Sequence, residues 1–204
     1  MKLFLKYGII TLLILSYSQA YSQNNTQLSL SYRVDVPTGA FKNYISNTAG
    51  RGFNAGISHL FNNQLGIGFN IGYNDFYQKY PRAVYDDGQG NLISAVITNS
   101  LQEIPLQAMI HYTLMNKNFI RPYVNAGAGF NIIMYNQYLG EFSNQQTKTK
   151  PVFNAGAGVY IPVSKYSSTS INIGADYNYA PLNVTGIKNV NSISIHAGID
   201  FPIH

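Results

Sequence analysis

Ser194 and His196 stand two residues apart in the stretch Asn191-Ser-Ile-Ser-Ile-His-Ala-Gly-Ile-Asp-Phe-Pro-Ile-His204. A hydroxyl and an imidazole are the parts of an activated nucleophile and its base. Alternate residues of an extended strand share a face, so both side chains point the same way. A third group must orient the imidazole before such a pair can act, and a triad is defined by geometry rather than by residue type. No such partner is evident from the spacing, so a structural pair is expected, with a lipid-modifying enzyme as the minor alternative. Gly127-Ala128-Gly129 and Gly156-Ala157-Gly158 share spacing with dinucleotide loops, but neither completes G-x-G-x-x-G or leads into a helix. Asp86-Asp87 reads as a turn rather than a metal site. No catalytic, cofactor-binding or metal-ligating residues are therefore expected, and no cofactor.

The remaining chemistry-bearing residues are charged groups on one parity. Arg33, Asp35, Glu103, His111, Asp176, His196 and Asp200 all fall opposite the apolar residues of their segments. Buried charges must be partnered, so the expectation is a polar network packed inside a closed sheet. Arg33 should pair with Glu103 or with another inward carboxylate. The functional alternative is a proton or ion path through a narrow lumen.

Eight segments with a period of two would position these groups. The first runs Leu28, Leu30, Tyr32, Val34, Val36, and Pro37-Thr38-Gly39-Ala40-Phe41 breaks it and opens a polar loop to about Gly50. The second spans about Arg51 to Phe61 and turns at Asn62-Asn63. The third carries Leu65, Ile67, Phe69, Ile71 and Tyr73 opposite Gly66, Gly68, Asn70, Gly72 and Asn74. Runs Tyr80 to Tyr85 and Leu92 to Thr98 flank a tip at Asp86 to Asn91 and read as a projecting hairpin. The fourth holds Ile104 to Tyr112, weakened at Pro105 by a missing donor. Ile120 to Ile132 form the fifth, followed by a polar loop Tyr135 to Lys150. Phe153 to Ile161, Ile171 to Tyr179 and the closing strand from Asn191 complete the set, with a loop Pro181 to Val190 before the last. Long and short connections alternate, as in membrane barrels.

Composition agrees with a membrane setting. Apolar residues make up 46% of the 204 and aromatic residues 14%, but charged residues only 10%, against about 25% in an ordinary soluble domain. The net charge of +5 is spread thinly, which argues against a nucleic-acid face. Residues 1–22 have a basic start at Lys2 and Lys6, a short apolar run Gly8 to Leu15 and small residues at Ala20-Tyr21-Ser22. This is the pattern of a cleaved secretory signal, with cleavage after Ser22 or Ala20. The chain has no cysteine, hence no disulfide and no lipoprotein anchor. No later stretch is long enough to be a membrane helix, so a membrane protein must be a closed sheet here.

Alternation alone does not say which face is outside. An eight-stranded barrel has an interior just wide enough for side chains, and the listed Leu, Ile, Phe and Tyr would overfill it. The opposite face is Gly, Asn and Ser, a poor soluble surface but a good narrow lumen. The apolar set is therefore expected to face lipid, with Tyr73, Tyr112, Phe119, Tyr177, Tyr179 and Phe201 in aromatic girdles.

Pro37-Thr38-Gly39-Ala40-Phe41, Pro122-Tyr123-Val124-Asn125-Ala126-Gly127-Ala128-Gly129 and the terminal signal His196-Ala197-Gly198-Ile199-Asp200-Phe201-Pro202-Ile203 carry a resemblance. Over about Gln27 to Ile203 the chain resembles the small OmpA/OmpX-like outer-membrane β-barrels of Gram-negative bacteria. The resemblance implies an all-β, eight-stranded antiparallel up-and-down transmembrane barrel over 23–204; unlike OmpA itself, the chain is expected to carry no peptidoglycan-binding domain. It also implies both termini in the periplasm, insertion by the barrel assembly machinery through the C-terminal strand, and outer-membrane lipid as surroundings. The functional expectation is a non-enzymatic scaffold whose loops Tyr77 to Ser100 and Tyr135 to Lys150 bind a surface ligand or mediate adhesion. A narrow porin-like channel is the alternative.

Overall fold

The computed structural model describes residues 26–203 except 63, 87–91, 116–118, 140–141, 165–168 and 185–186. The expected signal 1–22 and most of the tip Asp86 to Asn91 lie outside the described residues. The strands are β1 (Thr26–Thr38), β2 (Ala49–Leu60), β3 (Leu65–Lys79), β4 (Ala83–Asp86), β5 (Leu92–Ala95), β6 (Ile97–Thr113), β7 (Arg121–Leu139), β8 (Phe142–Pro162), β9 (Ser170–Val184) and β10 (Ile187–Pro202). Eight of them close into an antiparallel barrel in the order β1-β10-β9-β8-β7-β6-β3-β2, and β4 and β5 pair as a separate hairpin. That hairpin stands where the sequence placed it. No helix among the described residues is long and apolar enough to cross a membrane.

The period-two reading fixes the faces. Phe69 is 71% exposed and Phe130 64%, whereas Arg33 is 3% and Asp35 0% exposed. Leu30, Ile57, Ile67, Ile110, Ile173, Ile195 and Ile199 also lie on the outer wall. Of the six aromatics expected in girdles, Tyr112, Phe119, Tyr177 and Tyr179 are exposed, although Tyr177 lies at the middle of β9, and Tyr73 and Phe201 are half-buried. Pro105 leaves its mark: β3 and β6 pair at Ile71↔Leu106 and again at Asn74↔Glu103, but not at the positions between.

Both chain ends and the connections 60–65, 113–121 and 162–170 lie at one end of the barrel, called here the terminal end. The connections after β1, β3, β7 and β9 lie at the opposite, loop end. At the first terminal-end turn Asn62 Oδ1 accepts from the backbone N–H of Gln64 (2.8 Å) and Leu65 (2.6 Å), an Asx-type turn.

The loop end departs from the sequence reading in three places. Residues 135–150 are not a polar loop: β7 and β8 stay paired from Arg121↔Tyr160 to Leu139↔Phe142. Pro181 to Val190 is likewise mostly strand, since β9 and β10 pair out to Ile187↔Val184. These segments are rich in Tyr, Asn, Gln and Thr, which reads as loop, but a two-stranded ladder satisfies every second backbone group without needing an apolar face. Thirdly, the segment after β1 is no simple polar loop. Pro37 and Thr38 still pair with Ser192 and Asn191, and Gly39–Asn43 forms a 3-10 helix entered through Gly39 at φ 59°.

That helix turns Phe41 inward, and Ile45 follows; both are fully buried. They pack with Ala49, Phe76, Leu101, Ile133, Tyr135, Val152, Ala180, Leu182, Ile187 and Val190 in one apolar core. Phe41 meets Phe76 edge to face at 5.2 Å. The inward face of the barrel thus changes character along its length, polar toward the terminal end and apolar toward the loop end.

A layered polar lumen

Beneath the apolar core lies the predicted ion pair, with its partner now identified. Arg33 Nε donates to Asp35 Oδ2 at 2.9 Å and Nη2 to Asp35 Oδ1 at 2.7 Å, a two-pronged contact. Side chains two apart on one strand share a face, and both are almost wholly buried, at 4% and 0% exposure. Ser194 Oγ donates to Asp35 and accepts from Arg33 Nη2. Asn178 Nδ2 donates to the same hydroxyl at 2.6 Å, Arg33 Nη1 donates to Asn54 Oδ1 at 3.2 Å, and Ser192 Oγ donates to Asp35 Oδ1 at 3.3 Å. Glu103 stands in the same layer, accepting from Asn131 Nδ2 at 2.6 Å. Free space within this layer, among Arg33, Asn74, Glu103 and Asn131, is about 10 Å³, room for about one water molecule.

Ser194 and His196 therefore belong to different clusters. Ser194 shares hydrogen bonds with Arg33, Asp35 and Asn178, while His196, opposite Arg33 in the β1–β10 register, meets a second set of partners. His196 Nδ1 lies 3.1 Å from Asp176 Oδ2, an ion-pair distance without the alignment of a hydrogen bond. Its Nε2 lies 3.0 Å from the Tyr123 hydroxyl. Tyr123 stacks on Tyr160 at 4.2 Å. Toward the terminal end Asn172 Nδ2 donates to Asp200 Oδ2 at 2.8 Å. Sequence reasoning put Asp176 and His196 on the inward parity but did not bring Tyr123 and Tyr160 to them, because they meet diagonally across strands.

Glycines make this cluster possible. A Cβ at Gly158 would sit 2.6 Å from Tyr123 Cζ and Oη, and one at Gly174 would sit 2.8 Å from that hydroxyl and 2.9 Å from His196 Cε1. A Cβ at Gly156 would collide with Asp176 Oδ1 and lie 2.8 Å from Asn125 Oδ1. The Gly-x-Gly run of β8 and Gly174 of β9 are clearance for inward aromatic and charged side chains, not a phosphate loop.

Below the Arg33 layer the lumen opens into a chamber of about 110 Å³. Arg33, Asn125, Asn154, Asp176, His196 and Asp200 are among its lining residues, and His111 and Gln27 stand toward the terminal end. Among the described residues no group of three or more His, Asp and Glu is arranged to hold a metal ion.

The fold has solved counterparts. The crystal structure of Neisserial surface protein A superposes with a TM-score of 0.59 at 16% identity, covering 88% of this chain and 97% of that one. The outer membrane protein OprG of Pseudomonas aeruginosa gives 0.50 at 12% identity over 89% and 97%. The outer membrane protease OmpT of Escherichia coli gives 0.54 at 8% identity over 91% and 100%. No curated protein matches the sequence. At these identities the likeness is one of fold, but residues 8–201 match the family model described as outer membrane protein beta-barrel domain. A closed eight-stranded antiparallel barrel with an apolar outer wall and a polar lumen, matched over nearly its whole length, belongs to the outer-membrane β-barrel domain family.

Proposed function

We propose that this protein is a non-enzymatic outer-membrane scaffold that binds a surface partner at its loop end, with both termini in the periplasm. The observation that carries the reading is the uneven rim. β8 pairs with β9 only from Phe153↔Tyr179 onward, whereas its pairing with β7 continues to Phe142. The edge of β8 that faces β9 is thus without ladder bonds over residues 142–152, although Val152 still packs with Ala180 and Leu182 in the apolar core. At about 3.3 Å per residue that edge is some 35 Å long. A free edge offers unpaired N–H and C=O groups to an extended partner strand, and Lys148, Lys150 and Pro151 temper it against self-association.

The lumen supports a scaffold over a pore. Passage from the chamber meets the Arg33–Asp35–Ser194 layer and then the apolar core under the 3-10 helix. Ser194 and His196 meet separate sets of partners, which leaves the nucleophile–base reading without its geometry. Insertion through β10, which closes the barrel against β1, fits the expected role of the assembly machinery.

Cells displaying the protein are tested for adhesion to immobilised surface glycans and proteins. Replacing residues 137–144 by a two-residue turn should abolish adhesion while the heat-sensitive gel mobility of the folded barrel is kept. Undiminished adhesion by a folded barrel so shortened would sink the proposal. Discrete conductance steps from the wild-type barrel in a planar bilayer would replace it with the channel reading.

A further inference from the structure

The polar atoms around the chamber are unbalanced. Asn125, Asn154 and Asn172 each have a buried Oδ1 without a hydrogen-bond partner in the protein, and so does Asp176. Asn154, Asn172 and Asp176 are all more than nine-tenths buried. Asn172 cannot turn its amide without giving up its bond to Asp200, so its oxygen is pinned. Asp176 Oδ1 and Asn125 Oδ1 converge from β9 and β7 on the open side of Gly156. Asn154 Oδ1, one layer up on β8, leans over Gly127.

The charges are unbalanced in the same direction. Arg33 lines the chamber too but is committed to Asp35, and Asp176 and Asp200 share the chamber wall with the imidazoles of His196 and His111. Arg121 stands at the terminal-end rim on the inward parity of β7. A surplus of hard oxygen acceptors with a surplus of negative charge, in a space that holds several water molecules, is the complement of a small hard cation.

We propose that the chamber binds a hydrated hard cation of the calcium class, held by Asp176 and the amide oxygens of Asn125 and Asn154, with water completing the shell. One carboxylate and neutral amides make a weak site, with a dissociation constant of about 0.1–1 mM by analogy with sites of few charged ligands. The glycines at 127 and 156 leave the room in which the oxygens converge.

Terbium is a suitable probe, because the chain has no tryptophan and Tyr123 and Tyr160 line the chamber. The mature barrel is refolded in zwitterionic micelles and terbium emission is excited through tyrosine. The expected result is saturable emission that calcium competes away, with affinity at least about tenfold weaker in Asp176→Asn and unchanged in Asp86→Asn/Asp87→Asn. Absence of sensitised emission from the folded wild type would overturn the proposal, as would equal affinity in Asp176→Asn or loss of emission in the Asp86/Asp87 variant. Should Asp176→Asn fail to show the gel mobility of a folded barrel, Asn125→Leu and Asn154→Leu take its place. Binding as tight as wild type in both would equally refute the site.

Discussion

Removing Asp35 tests whether the buried ion pair holds the barrel together. Arg33 and Asp35 make two charge-assisted bonds of 2.7 and 2.9 Å, and the carboxylate is fully buried. Two unit charges about 4 Å apart at an effective dielectric of about 20 attract by about 4 kcal/mol. Asp35→Ala forfeits that attraction and leaves a buried guanidinium without its counter-charge, so the expected loss is about 3–5 kcal/mol. Arg33→Met should cost about as much by stranding the carboxylate. The double variant Arg33→Met/Asp35→Ala removes both charges together and should cost far less than the sum, giving a coupling of several kcal/mol. The assay is reversible urea unfolding of the refolded barrel in lipid, followed by tyrosine fluorescence and gel mobility. With a slope of about 1–3 kcal/mol per molar urea, the single variants should lower the midpoint by roughly 1–5 M. Single variants each costing under about 1 kcal/mol, or a double variant that merely adds them, would show that the pair is incidental and that Ser194, Asn54 and Asn178 suffice.

Three further outcomes follow from the same architecture. Phe69→Arg places a charge on the outer wall at the fifth residue of β3 and should cost about 2–4 kcal/mol in lipid, measured by the same unfolding; a neutral result would mean that this wall does not meet lipid. Gly158→Ala drives a Cβ to 2.6 Å from the Tyr123 ring and should destabilise by about 1–3 kcal/mol, with a changed tyrosine near-ultraviolet signal; an unaffected variant would mean that the Tyr123–Tyr160 stack is loosely held. Phe41→Ala empties the heart of the loop-end core and should weaken it by about 3–5 kcal/mol, seen as faster hydrogen exchange at Phe76 and Leu101. The same variant should stay silent in a planar bilayer, because the Arg33 layer lies intact beneath it.

The outer wall was legible because lipid enforces a simple rule at every second residue. Leu65 to Tyr73 and Ile193 to Phe201 carry that rule without exception, and strand number, order and faces follow from it. The inner wall was legible only in part. Arg33, Asp35, Glu103, Asp176 and His196 declared their parity, and the expectation that Arg33 would meet an inward carboxylate was right. Partners were legible only when they shared a strand, as Arg33 and Asp35 do. The joining of Tyr123, Asp176 and His196 depends on strand stagger, which alternation does not encode. The loop-end core was missed because Phe76, Leu101, Ile133 and Leu182 continue the inward parity with the opposite chemistry. Phe41 and Ile45 sit among polar neighbours and gain their meaning only from what they cover. The β7–β8 extension was taken for a loop because two paired strands outside both lipid and core have no need of a greasy side.

The layer around Arg33 also acts at the seam where the first and last strands meet. Closing a barrel requires β1 to find β10 in one alignment among many, and backbone hydrogen bonds alone scarcely distinguish neighbouring alignments. A slip of one residue would turn Arg33 and Asp35 out into hydrocarbon and Val34 into a polar lumen. A slip of two in one direction would keep the faces but set Asp35 opposite His196 and Arg33 opposite Gly198, away from the hydroxyls of Ser194 and Ser192 that complete the ion pair's hydrogen bonds. The ion pair thus serves as a key cut for one lock: misaligned closures are penalised in the very step that seals the protein, and a chain that has sealed wrongly retains a strong incentive to reopen.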